Sequence, residues 1–187
     1  MTKYMIGRLT MRAALPGLFA VATMLMAPGA HAADSDVVRI KQGLNIAPVP
    51  LNLTGLDKNK VGLGSYLVTV AQCNDCHTTP TFAKGGDPFV GDRTIKVVKT
   101  AYLAGGVFFG GTLCSSNITP DKNHLPDGLT LTNFISAMKT GHDFRAKPNV
   151  LLQQMPWPYF REMTQSDLGA IYEYLRAVPS NKTPKCP

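Results

Sequence analysis

The chain has 187 residues, 44% of them hydrophobic, and a formal charge of +7 from 19 Lys and Arg against 12 Asp and Glu. That size suits one domain with one core. The positive excess includes no dense basic run and no nucleic-acid-binding motif, which argues against a nucleic-acid partner.

In chain order, the first feature is a segment outside the fold. Lys3, Arg8 and Arg12 make a basic start, residues 13–26 are almost wholly apolar, and Ala30-His31-Ala32 places small residues where a signal peptidase cuts. This pattern predicts a secretory signal over residues 1–32 with cleavage after Ala32. The apolar run is shorter than the roughly 20 residues a membrane span needs, and Pro16 interrupts it. Removing residues 1–32 leaves 155 residues and lowers the charge to +4, because the segment carries three basic residues and no acidic one. No later stretch is apolar enough to span a bilayer, so the expected location is periplasmic.

Residues 33–58 mix Gly43, Pro48, Pro50 and Gly55 with scattered apolar residues and read as an irregular N-terminal arm. A helix is predicted over 61–73, with Val61, Leu63, Leu67, Val68 and Ala71 on one face. Gly62 and Gly64 sit inside it at a cost of about 1 kcal/mol each relative to Ala, so close approach of another backbone is expected there. Residues 78–130 are rich in Gly and turn residues, with short strands predicted near 94–98 and 106–113. A structureless loop of that length is unusual in a compact domain, so it should wrap something. Two helices follow. The first covers 131–139, capped by Thr130 and ended by Gly141; the second covers 165–177, where Thr164 to Asp167 resembles a capping box. The domain is taken as 59–180, and 181–187 reads as a loose tail unless Cys186 ties it down.

The chemistry lies in Cys73-Asn74-Asp75-Cys76-His77. A C-x-x-C-H run reads as a c-type haem attachment site. Two thiols at this spacing reach the two vinyl groups on one haem edge, and the adjacent His can ligate the iron. A thioredoxin-like thiol centre expects a βαβ setting that is not evident here. A zinc site would need a second close Cys pair, which Cys114 and Cys186 do not make. The residues predict one haem c, covalently bound. Candidates for the sixth ligand are His124, Met138, His142, Met155 and Met163. Met138 fits the core face of its helix, Met163 abuts a helix cap, and the two His residues read as surface loops. Met155 is preferred, because Pro156 holds it extended just before the last helix.

On these motifs the chain resembles the monohaem class I-type cytochrome c family, and in particular cytochrome subunits of bacterial periplasmic dehydrogenases. Three blocks carry the likeness. They are Gly64-Ser65-Tyr66-Leu67 with the Cys73 to Thr78 run, Ser116-Asn117-Ile118-Thr119-Pro120-Asp121 with the Phe134 helix, and Met155-Pro156-Trp157-Pro158-Tyr159-Phe160 with the Asp167 to Leu175 helix. The resemblance implies an all-α, cytochrome c-like fold around one haem, with the long Gly-rich segment as an insertion. It implies that the first and last helices cross at Gly64, with Tyr172 or Leu175 nearby. It also implies a Pro carbonyl, from Pro80 or Pro88, accepting the His77 Nδ1 proton. The interval from His77 to Met155 is longer than the family pattern, and Cys114 is not part of it. In an oxidising compartment Cys114 and Cys186 could pair or stay free, and connectivity is not fixed by sequence.

The expected function is single-electron transfer between redox proteins, such as a periplasmic dehydrogenase or a terminal oxidase, through a His77/Met155-ligated haem. The chain is not expected to be an enzyme itself. Residues 85–111 and the Trp157 loop are expected to cover the haem. The alternatives are a haem peroxidase or gas sensor with a labile sixth position, for which Arg145 near His142 is the only distal pair in view, and a thiol–disulfide redox protein using Cys73 and Cys76.

Overall fold

The computed structural model describes residues 29–145 and 150–186. The expected signal therefore lies mostly outside the described residues. Helix α1, Gly29–Ile46, corrects the reading of 33–58 as an irregular arm. A cut after Ala32 would fall within its first turn. The correction has a physical reason. In the sequence Gly43 reads as a breaker, but a Cβ there would collide with the backbone of Gly62 and Tyr66. Gly43 lets α1 lie directly on the next helix, and Ser65 Oγ donates to its carbonyl at 2.7 Å. Only the stretch after Ile46 is irregular, and Asn52 N–H donates to Ala177 O at 2.8 Å.

Helix α2, Lys58–Val70, is capped by Asp57, which accepts from Asn59 N at 2.9 Å and Lys60 N at 3.3 Å. It stops short of the Cys motif, unlike the predicted 61–73 helix. Gln72, in the left-handed region at φ 58°, breaks the run, and α3, Cys73–His77, begins afresh. Residues 78–130 contain a 3-10 turn, Pro88–Val90, and the antiparallel strands β1, Phe108–Gly110, and β2, Leu113–Cys114. The stretch near 94–98 forms only an isolated bridge, Phe82 to Val97. The segment does wrap the core, since Tyr102, Leu103 and Ala104 are buried.

Helix α4, Leu131–Thr140, has the Thr130 cap and left-handed Gly141 end expected of it. Strands β3, His142–Asp143, and β4, Val150–Leu151, form a second two-stranded sheet. A short α5, Trp157–Phe160, precedes α6, Gln165–Ala177. The capping box at α6 is present: Thr164 Oγ1 accepts from Asp167 N at 3.0 Å, and Asp167 Oδ2 accepts from Thr164 N at 3.3 Å. The fold is mostly helical rather than strictly all-α, because the two small sheets belong to it. Among the described residues no helix is long and apolar enough to cross a membrane.

The crossing of α2 and α6 occurs at Gly64, where an added Cβ would run into the Ala170 carbonyl and stand 2.7 Å from Tyr174 Cβ. The side chain nearest this crossing is that of Tyr174. Tyr172 instead donates to Leu129 O at 2.9 Å and packs its ring on Phe134, 5.5 Å between centroids. Tail residues 181–186 are not loose. Cys114 and Cys186 form a disulfide with their Cα atoms 6.4 Å apart.

Candidate cofactor site

Between α3, α4, α6 and the two small sheets lies a cleft of about 170 Å³ that opens to solvent. Its walls are mainly apolar, with Val68, Leu129, Phe134, Ile171 and Leu175 among them. Cys73, Cys76, His77 and Met155 all line it, so residues 78 positions apart in the chain meet in one cavity. Met138 lines it as well, although it is 6% exposed and packed in the core. His124 and His142 are exposed and are not among the lining residues.

The His77 ring is fixed by its neighbours. Nδ1–H donates to the Ser116 carbonyl at 2.8 Å. A carbonyl can only accept, so this bond sets the tautomer and leaves the Nε2 lone pair free. Burial pulls the His77 pKa down, with the nearby Arg145 charge adding to this and the Ser116 bond opposing it. The ring is therefore neutral near pH 7, the form that binds a metal. The acceptor is neither Pro80 nor Pro88. Residues 103–106 and 115–118 return beside the motif: Gly105 N–H donates to His77 O at 2.7 Å, Gly106 N–H to Ser115 O at 3.0 Å, and Ile118 N–H to Leu103 O at 3.0 Å. That path brings Ser116, 39 residues on in sequence, under the ring. The Ser116-Asn117-Ile118-Thr119 block marked this stretch in sequence; nothing local to His77 did.

Cys73 and Cys76 are unpaired with each other. Burial pushes the Cys73 thiol up to about 12, and burial together with Asp75 raises that of Cys76. Cysteines of C-x-x-C redox centres are shifted the other way, toward the thiolate.

A polar cluster that sequence reasoning undervalued sits on the same cleft. Arg145 pairs with Asp127 and with Asp143 (2.9 Å), and its Nη2 donates to Ser116 Oγ at 3.1 Å. Desolvation pushes Asp127 up to about 7 against the pull of Arg145. Hydrogen bonding to Arg145 holds Asp143 below the ordinary carboxylate range. Arg145 is thus engaged by two acids rather than free to act as a distal group beside His142. Trp157 does not cover the cleft; its indole lies against Gly141, where any Cβ would collide with it. Of residues 85–111 only Phe109 lines the cavity.

The residues present fit a haem. The cavity is apolar, two cysteines lie on its edge, a neutral imidazole offers a lone pair, and thioethers line the same space. The chain is 30% identical over 118 residues, 63% of its length and 21% of the relative's, to the alcohol dehydrogenase (quinone) cytochrome c subunit of Gluconobacter oxydans. It is 28% identical over 157 residues, 78% of its length and 28% of the relative's, to the fructose dehydrogenase cytochrome subunit of Gluconobacter japonicus. It is 29% identical over 111 residues, 59% of its length and 21% of the relative's, to the gluconate 2-dehydrogenase cytochrome c subunit of Pantoea cypripedii. On these matches the chain resembles the cytochrome c family, and within it the cytochrome subunits of bacterial dehydrogenases. It spans roughly a quarter of these relatives, between 21% and 28% of their length. No family model matches the chain, and no solved structure does.

Proposed function

We propose that this chain is an exported, monohaem c-type cytochrome that passes single electrons between redox proteins, with haem c attached through Cys73 and Cys76 and ligated by His77 and Met155. The observation that carries the reading is the shared apolar cleft, lined by the C-x-x-C-H run and by Met155. The motif occurs once, which supports one haem per chain. When bound, the haem supplies an iron that changes oxidation state by one electron.

The protein's own residues do the rest. Cys73 and Cys76 hold the cofactor by thioether bonds. His77 offers Nε2 while Ser116 keeps its ring oriented. Met155 would offer its thioether sulfur to the iron, and the apolar walls would limit water and set the potential through burial. The names of the relatives support a dehydrogenase as one redox partner, a terminal oxidase being the other side of such a transfer. On this reading the chain is the carrier and not the catalyst. Periplasmic export through residues 1–32 belongs to the same proposal.

The test is expression with a haem-attachment system, followed by spectroscopy of the purified chain. The wild type is expected to carry one covalent haem with low-spin ferric bands, including a far-red thioether band. Met155→Ala is expected to lose that band and Met138→Ala to keep it. Loss only in Met138→Ala would transfer the sixth ligand to α4. A high-spin wild type would favour a peroxidase or sensor, and a chain without haem would favour thiol chemistry.

A further inference from the structure

We infer that the C-terminal tail is a positioning strap for the axial histidine: residues 181–186 hold the Ser116 carbonyl on His77 Nδ1 through Asn181, Asn117 and the Cys114–Cys186 disulfide. The inference rests on His77 being an iron ligand.

Ser116 lies in an extended stretch with no helix or long strand to hold it. It is fastened on both sides to the tail. Two residues before it, Cys114 is bonded to Cys186. One residue after it, Asn117 Nδ2 donates to Asn181 O at 2.8 Å and to Thr183 Oγ1 at 3.2 Å. Asn117 Oδ1 accepts from Thr119 N at 2.9 Å and Thr119 Oγ1 at 2.7 Å. Thr119 Oγ1 in turn accepts from Asn181 N at 3.1 Å. Asn181 Nδ2 reaches the other side of the return path, donating to Tyr102 O at 3.0 Å. Pro184 lies over Gly106, the residue that pairs with Ser115.

Fixing an irregular segment costs backbone entropy. Among the described residues the tail's hydrogen bonds go to Asn117 and Thr119, beside Ser116, and to Lys99 and Tyr102 in the neighbouring stretch. A hydrogen bond from the distal ring nitrogen to a carbonyl raises the basicity of a ligating His. Holding Ser116 in place therefore favours ferric over ferrous iron, and loosening it moves the balance the other way.

The test uses the full-length, haem-loaded chain in three forms: Asn181→Ala, the pair Cys114→Ser with Cys186→Ser, and Thr164→Ala as a destabilised control far from the strap. Two quantities are read: the ferric/ferrous equilibrium by redox titration, and exchange of the His77 Nδ1 proton by NMR. Both strap variants are expected to shift the equilibrium several-fold toward ferrous and to speed that exchange about tenfold, while Thr164→Ala changes neither. Asn181→Ala keeps the disulfide, so it remains readable if the double Ser variant folds poorly. Unchanged redox balance and exchange in Asn181→Ala, even with lowered stability, would overturn the inference and leave the tail a merely structural element. A wild type without covalent haem would instead remove the reading on which it stands.

Discussion

At the α2–α6 crossing two backbones meet because Gly64 carries no side chain, whereas residues 99–128 are joined to the same core by polar bonds between distant residues. The crossing needs almost no polar chemistry. The looped wall depends on it: Thr78 Oγ1 accepts from Leu103 N at 2.9 Å, Tyr102 and Tyr174 share a buried hydroxyl bond of 2.9 Å, and Asp127 is held by Arg145. The contrast teaches that the two regions should fail differently. Steric insertion breaks the crossing; desolvated, unpartnered groups break the wall.

The largest expected effect is on the wall. Asp127 has its folded pKa raised from 3.8 to about 7. The folded state therefore holds that proton longer than the unfolded chain, and stability falls as pH rises from about 4 to about 7. Above that window the cost is on the order of 4 kcal/mol. Urea unfolding at both ends of the window should show this slope in the wild type and not in Asp127→Asn. Equal slopes would mean that the carboxylate is not desolvated.

The crossing comes next. On an exposed helix Gly64→Ala would stabilise by about 1 kcal/mol. Against the Ala170 carbonyl it is expected to cost about 3 kcal/mol instead, and a gain in urea midpoint would refute the contact. Tyr174→Phe probes the joint between the two regions. It leaves the Tyr102 hydroxyl, in a residue 2% exposed, without its partner, at an expected cost of about 2 kcal/mol. The double variant with Tyr102→Phe should recover part of that loss. Smallest is Thr164→Ala, which opens the α6 capping box for about 1 kcal/mol and should leave the cleft unchanged.

The same contrast explains what the sequence made legible. The α6 boundaries, its capping box, the α4 ends and the close approach at Gly64 are local signals, written in spacing and cap residues. The Cys73 to His77 run is also local, and so is the Pro-flanked Met155. Helix α1 was hidden because Gly43, a breaker in isolation, is a contact with Gly62 and Tyr66. Trp157 gave no hint that it would lie on Gly141 rather than over the cleft. The support of His77 was least legible of all. It comes from a backbone carbonyl, which every residue has, delivered by a chain return that only the folded wall defines. Asp127 carries no signal in the sequence and Arg145 reads there only as a distal neighbour of His142, because their pairing, 18 residues apart, has no periodic signature.

The Cys114–Cys186 link also bears on the order in which the site can be completed. A polypeptide emerges N-terminus first. Cys73 and Cys76 appear early, Cys114 about 40 residues later, and its partner 72 residues after that. Between the emergence of Cys114 and that of Cys186 the chain presents three thiols and only one correct pair of attachment points. Early capture of Cys73 and Cys76 by the cofactor would remove the two wrong mates for Cys114 before Cys186 arrives. Cofactor attachment would then act as an editor of disulfide pairing, and a chain deprived of haem should accumulate Cys73–Cys114 or Cys76–Cys114 isomers that non-reducing peptide mapping can distinguish.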